Sequence, residues 1–180
     1  KDKTVLVTGA GGSIGSELCR QIVKFRPRKL ILFEINEYSL YQIEQEIRNN
    51  IDSTTELIPI LGDINNQKDF QNLLQSLKIS TIYHTAAYKH VPMLEQNGIA
   101  GIRNNIFGTN SAISASIKAN VECFVFISTD KAVRPTNLMG ASKRFAEILL
   151  QAKSKPFNLD NKKTKISIVR FGNVLGSSGS

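Results

Sequence analysis

The chain has no tryptophan and only two cysteines, Cys19 and Cys123, in 180 residues. Two scattered cysteines make neither the disulfide framework of a small secreted domain nor a cysteine-built metal site, and no metal site is expected. Both fall in apolar segments and read as small buried residues. No apolar run approaches the ~20 residues that a membrane span needs, and no signal peptide opens the sequence. The chain begins at Lys1 rather than Met and stops at Ser180 after a Gly/Ser-rich stretch, so further sequence is expected on both sides.

Charge is one-sided: 23 Lys and Arg stand against 15 Asp and Glu, a formal +8. Such an excess suits a nucleic-acid face, attraction of an anionic small substrate, or a solvated lysine-rich surface. Basic residues gather in loop-like stretches, around Arg26, Arg28 and Lys29 and again between Lys153 and Lys165, and never interleave with aromatics. No nucleic-acid partner is therefore expected. At 41% hydrophobic and 21% charged, the composition is that of one globular domain with a real core.

What the sequence does have is alternation. Short β-branched runs at residues 4–8, 30–33, 57–61, 81–85, 121–128 and 166–170 read as strands. Segments with helical spacing lie between them, at about 13–25, 38–48, 70–77, 103–118 and 139–151. In the first, Ile14, Leu18, Ile22 and Phe25 share a face and Pro27 stops the helix. Pro59 interrupts the third strand. The lysine-rich stretch from Lys153 to Lys165 reads as a loop. Strands separated by helices imply right-handed βαβ crossovers, so the expected fold is an α/β Rossmann-type doubly wound parallel sheet. Helices cover both faces, and the expected strand order is 3-2-1-4-5-6.

The first strand runs into Gly9-Ala10-Gly11-Gly12-Ser13-Ile14-Gly15, and a helix follows. Glycines let backbone approach a pyrophosphate, and a helix N-terminus offers unpaired N–H groups and partial positive charge. Gly9, Gly12 and Gly15 fall at every third position, the GxxGxxG spacing of extended short-chain dehydrogenase/reductases. Glu34 ends the second strand, where a carboxylate can accept from a ribose 2′-hydroxyl and repels a 2′-phosphate; NAD is expected over NADP. Otherwise Glu34 is a solvated carboxylate. Asp63 and Ile64 follow the third strand, where an Asp can bond the adenine amino group and the next residue can pack on the ring, or Asp63 is a plain turn residue. Ala86 and Ala87 leave room for a cofactor crossing the carboxyl edge of the sheet.

The stretches TGAGGSIGSEL, HTAAYKHVPMLE, NNIFGTN, STDKAVRPTNLMGASKR and RFGNVLGSSGS cover nearly the whole chain. In these it resembles the CapD/PglF-type polysaccharide-biosynthesis proteins, extended short-chain dehydrogenases acting as UDP-N-acetylglucosamine 4,6-dehydratases. The resemblance is closest to the large membrane-anchored PglF/WbpM-like members. It implies oxidation of the sugar at carbon 4 by NAD, loss of water across carbons 5 and 6, and return of the hydride to carbon 6. By the same resemblance Asp130 protonates the departing hydroxyl and Lys131 takes the carbon 5 proton. Those roles need the Asp130 pKa raised and the Lys131 pKa lowered.

Met139 stands where most short-chain dehydrogenases have a Tyr base, and a thioether takes no proton. The membrane-type members have Met there too. Thr129 is expected to orient the carbon 4 hydroxyl while Asp130 or Lys131 deprotonates it; Lys143 is expected to hold the nicotinamide ribose. Lys89, His90, Asn105 and Asn173 match family positions around the substrate. His90 reads equally as a solvated loop residue, and Arg170 either is structural or steers pyrophosphate. The resemblance also implies a homo-oligomer and a parent anchored at the inner face of a bacterial membrane with this domain in the cytoplasm. The substrate domain would be formed largely by sequence after Ser180, so this piece is expected to bind NAD yet turn over poorly. Two other readings remain: a UDP-sugar 4-epimerase or 4-reductase, and a non-catalytic dinucleotide-binding module.

Overall fold

Alternating strands and helices wind into one parallel sheet. A computed structural model describes residues 2–51, 53–154 and 164–174. In chain order the elements are β1 (Thr4–Thr8), α1 (Ser13–Val23), β2 (Lys29–Glu34), α2 (Glu37–Arg48), β3 (Glu56–Leu61), α3 (Gln67–Ser76) and β4 (Thr81–His84). Then come α4 (Val91–Gln96), α5 (Gly98–Ile102), a π-helical turn (Arg103–Phe107), α6 (Gly108–Lys118), β5 (Cys123–Thr129), α7 (Leu138–Ser154) and β6 (Lys165–Phe171). Among the described residues the sheet has six strands in the order β3-β2-β1-β4-β5-β6, and every pairing is parallel. The order expected from the alternation is the one observed.

Side chains alternate across a strand, so each inner strand feeds two cores. Val5, Val7, Leu30 and Leu32 point to one face and pack with Cys19 and Ile22 of α1 and Leu40, Ile43 and Ile47 of α2. Leu6, Ile31, Ile82, Phe124 and Phe126 point to the other, against Phe70 and Leu74 of α3, Ile113 of α6 and Leu150 of α7. Helices thus cover both faces. Cys19 is buried, which pushes its thiol up to about 12, and Cys123 is half-buried.

Pro59 does not break β3. It pairs in register with Leu32 on an edge strand, where a missing N–H can face away from the ladder. The α1 helix ends at Val23, short of Phe25, which is 79% exposed; Arg26 then turns into the left-handed region at φ 51°. The helix expected over 103–118 is not uniform. Its first five residues form the π-helical turn, and the short helices α4 and α5 precede it. A six-residue and a five-residue helix carry too little periodicity to be seen in sequence, and Pro92 lies in the first turn of the former. Lys153 and Ser154 belong to α7; the rest of the expected loop, residues 155–163, and the Gly/Ser stretch at 176–180 lie outside the described residues. No helix among the described residues is long and apolar enough to cross a membrane.

The fully buried Phe124 ring is packed within the second core, against the His84 ring at 5.6 Å. Phe124→Ala is expected to lower unfolding free energy by about 3–5 kcal/mol, measured by denaturant titration.

Candidate active site

The carboxyl ends of the strands open into one cleft of about 980 Å³. Its floor is the glycine turn. Gly9 has φ +67°, a conformation that strains any side chain, and a Cβ there would stand 2.8 Å from the Ala86 backbone. A Cβ on Gly15 would stand 2.0 Å from the Gly9 carbonyl oxygen, so α1 can meet β1 this closely only through glycine. Within the turn the Gly9 and Ala10 amides donate to the Phe33 carbonyl, Gly11 to Glu34 and Gly12 to Gly9. Ser13, Ile14 and Gly15, in the first turn of α1, line the cleft as well. Helix N-termini leave N–H groups without intrahelical partners; here the N-cap is Gly12, which has no side chain to cap them, and no acidic residue occupies the first turn. The cradle fits a pyrophosphate.

Glu34 is buried and lines the same cleft. Its carboxylate accepts from the Gly11 amide (3.0 Å), the Ile35 amide (2.9 Å) and the Asn36 amide (3.1 Å). It is therefore no mere solvated carboxylate: it fixes the turn as well as facing the cleft. Asp63 makes an Asx turn, accepting from the Asn65 amide at 2.8 Å, and lines the cleft with Ile64. Ala86 and Ala87 line it beside the glycines. The Lys89 ammonium comes within 3.4 Å of the Ser13 hydroxyl, which sets it over the start of α1 rather than at the end of β5. His90 is exposed at the cleft, leading into α4.

The opposite wall comes from the ends of β5 and β6 and the start of α7. Met139 is buried and lines the cleft. Lys143 is also buried: it donates to the Ile127 carbonyl at 2.9 Å, and its ammonium lies 4.6 Å from the centre of the Phe126 ring. Burial pushes its pKa down to about 8. Thr129 donates to the Asp130 carboxylate at 3.0 Å, and the Lys131 ammonium lies 3.4 Å from the same oxygen and 2.9 Å from the Asn173 side-chain oxygen. The structure thus brings Thr129, Asp130, Lys131 and Asn173 together. The Asp130 carboxyl is held below its ordinary range, first by the Thr129 hydroxyl and then by the Lys131 charge. That is the reverse of the expected direction, because Asp130 is exposed and hydrogen-bonded as an anion.

Two expected substrate residues sit elsewhere. The Arg170 guanidinium grips buried Glu147 through two hydrogen bonds, 2.9 and 2.7 Å, and does not line the cleft; these are the contacts of its structural reading. Asn105 is buried behind the wall. Its side chain accepts from the Tyr88 amide (2.8 Å) and donates to the Tyr88 carbonyl and to Ser142 (3.0 Å each). It braces the cleft wall from behind and does not line it. Among the described residues no group of His, Cys, Asp and Glu could hold a metal ion.

Sequence reasoning missed the buried polar groups behind the site. Thr109 donates to the Asn105 carbonyl, so it accepts from His84 Nε2–H, which leaves Nδ1 to accept from Thr8. Thr8 in turn accepts from the Ala86 amide. This chain ties the glycine turn to the helix behind Asn105. The available signal was a histidine inside an apolar strand. For Glu147 it was a carboxylate four and eight residues after Lys143 and Met139, on the buried face of α7.

The profile of the family described as "Polysaccharide biosynthesis protein" matches residues 5–180. The chain belongs to that family. It is 49% identical to the capsular polysaccharide biosynthesis protein CapD of Staphylococcus aureus, over 99% of this chain and 29% of that protein. It is 32% identical to the inverting UDP-N-acetylglucosamine 4,6-dehydratase of Campylobacter jejuni and 31% to the UDP-glucose 4-epimerase of Rickettsia canadensis, each over 99% of this chain and 51% of the relative. The X-ray structure of Pen from Bacillus thuringiensis superposes with a TM-score of 0.90 at 34% identity, over 100% of this chain and 53% of that one. The chain thus spans between about a third and half the length of these relatives. This polysaccharide-biosynthesis protein is an extended short-chain dehydrogenase/reductase of CapD type, in a group of nucleotide-sugar dehydratases and epimerases.

His84 is fully buried; burial first, and then the nearby Lys143 charge, push its pKa from 6.5 down to about 3. The unfolded chain binds this proton at higher pH than the folded one, so the His84 contribution is present above about 6.5 and is lost as pH falls through 3. Denaturant titrations between pH ~6 and ~4.5, above most carboxylate titration, should show stability falling toward acid by up to about 1.4 kcal/mol per pH unit. His84→Gln should flatten that slope; an unchanged slope would show that another group controls it.

Proposed function

We propose that the protein is a UDP-N-acetylglucosamine 4,6-dehydratase acting with NAD. The observation that carries this reading is the Thr129-Asp130-Lys131 group at the end of β5: Thr129, Lys131 and Asn173 line the cleft on the same wall as Met139 and Lys143, with Asp130 beside them, bonded to Thr129 and Lys131. An acid and a base side by side are what elimination of water across adjacent carbons requires. The glycine cradle fits a dinucleotide, and Glu34 favours NAD over NADP because its carboxylate would repel a 2′-phosphate. NAD, when bound, supplies the hydride acceptor for carbon 4 and the donor for carbon 6.

The chain's own residues do the proton work. Lys131 removes the carbon 5 proton, and Asp130 delivers a proton to the hydroxyl leaving carbon 6. A sugar seated over Asp130 would displace water from it and draw away the Thr129 hydrogen bond, both of which raise its pKa toward that of an acid at neutral pH. Met139 contributes an apolar surface and no proton, so Thr129 orients the carbon 4 hydroxyl for Asp130 or Lys131. Lys143, on the same wall, holds the nicotinamide ribose. The rival reading, a 4-epimerase, rests on the 31% identity to the Rickettsia enzyme.

The full-length protein incubated with UDP-N-acetylglucosamine and NAD should yield a 4-keto-6-deoxy sugar lighter by one water. In D2O the sugar should carry deuterium at carbon 5, both read by mass spectrometry and NMR. Asp130→Asn and Lys131→Met should each lower kcat by roughly 10²–10⁴ with NAD binding retained. A product of unchanged mass inverted at carbon 4 makes it the epimerase; NAD binding with no sugar product makes it a binding module. Full activity in Thr129→Val would remove Thr129 from the mechanism.

A further inference from the structure

The buried face of α7 carries three functional side chains one turn apart: Met139, Lys143 and Glu147. Lys143 holds Ile127 of β5, and one turn later Glu147 holds the next residue, Ser128, whose hydroxyl donates to it at 2.7 Å. The other donors to the Glu147 carboxylate are Arg170 of β6, through both Nε and Nη2, and Arg144 of α7 at 3.0 Å. Its side chain is wholly buried, while those of Arg170 and Arg144 are 40% and 38% exposed. Ser128 and Arg170 are register partners across β5 and β6, so one carboxylate spans both strands.

Just past this tie the same two strands release their ends into the site. Thr129 pairs with Phe171, the last residue of β6. Lys131 then donates to Asn173 at 2.9 Å, with Asp130 as its charged neighbour. We propose that Glu147 is a positioning residue: by locking the end of β5 to the end of β6 it sets the contact between Lys131 and Asn173. The proposal rests on the dehydratase reading for Lys131 as base. Burial alone would push the Glu147 carboxyl up, but its hydrogen bonds from Arg170, Ser128 and Arg144 hold it at about 2, so it stays an anion. A bidentate guanidinium–carboxylate pair fixes orientation as well as distance, which a neutral pair does not.

In the full-length protein, Glu147→Gln should lower kcat about 100-fold, the loss expected for an ångström-scale misplacement of a catalytic group. NAD affinity, set at the glycine turn, should stay at the wild-type value by fluorescence titration. Arg170→Lys keeps the charge but not the fork, so it should reproduce the loss and covers a Glu147→Gln protein that does not fold. Leu150→Ala, at a fully buried apolar position on the same helix, is the comparison: it should lower Tm without changing kcat per folded molecule. The side-chain 15N signal of Lys131, assigned through Lys131→Arg, should move in Glu147→Gln and Arg170→Lys and stay fixed in Leu150→Ala. If those two variants lower Tm while kcat and the Lys131 signal stay put, Glu147 is a structural tie only and the proposal is overturned. A wild-type protein that makes no keto sugar overturns the dehydratase reading instead, and the Lys131 signal still decides the role of Glu147.

Discussion

Everything in the cleft is built around one close approach, that of Gly15 to the Gly9 carbonyl. Any side chain at Gly15 would begin 2.0 Å from that oxygen, so the seat of α1 on β1 exists only with hydrogen at this position. From it follow the direction of the α1 N-terminus, the path of the turn over β2, and the place of Glu34 beneath it. The turn is also overdetermined from outside, since Phe33 and Glu34 accept three of its amides and Thr85 donates to the Thr8 carbonyl. A cradle held this way is organised before any anion arrives, which is where binding gains over a flexible loop.

Much of this architecture was legible in the residues. Strand order followed from alternation and the handedness of crossovers, and the glycine turn from its spacing directly after a strand. What was not legible has physical reasons. The π-helical turn at Arg103–Phe107 goes with tertiary bonds of Asn105 to Tyr88 and Ser142, contacts that local spacing does not encode. Arg170 offered two readings because a guanidinium on a strand looks alike whether it faces phosphate or carboxylate; only the fold puts Glu147 against it. The direction of the Asp130 shift depended on a neighbouring hydroxyl rotamer, which no sequence shows.

The site also shows how polar groups are housed in an apolar interior. His84, Thr8, Thr109 and Asn105 form a chain in which each hydrogen has an acceptor, the condition under which buried polar groups add rigidity instead of instability. Phe126 serves both halves of the wall: the His84 ring stacks near it and the Lys143 ammonium lies over it. A neutral imidazole is the form compatible with that ammonium, since a second buried positive charge would oppose the first.

The two borders of the sheet are unlike. On β3, Pro59 removes a backbone N–H, and that margin is poorly suited to receive another chain. Among the described residues β6 pairs only with β5, has no proline, and shows a half-buried to exposed flank. Lateral growth of the sheet by an added extended strand is thereby directed to the β6 border, two residues beyond whose end Asn173 meets Lys131. A strand added there would press on the strand that leads to the partner of Lys131, giving this wall of the cleft a mechanical handle on its outer side.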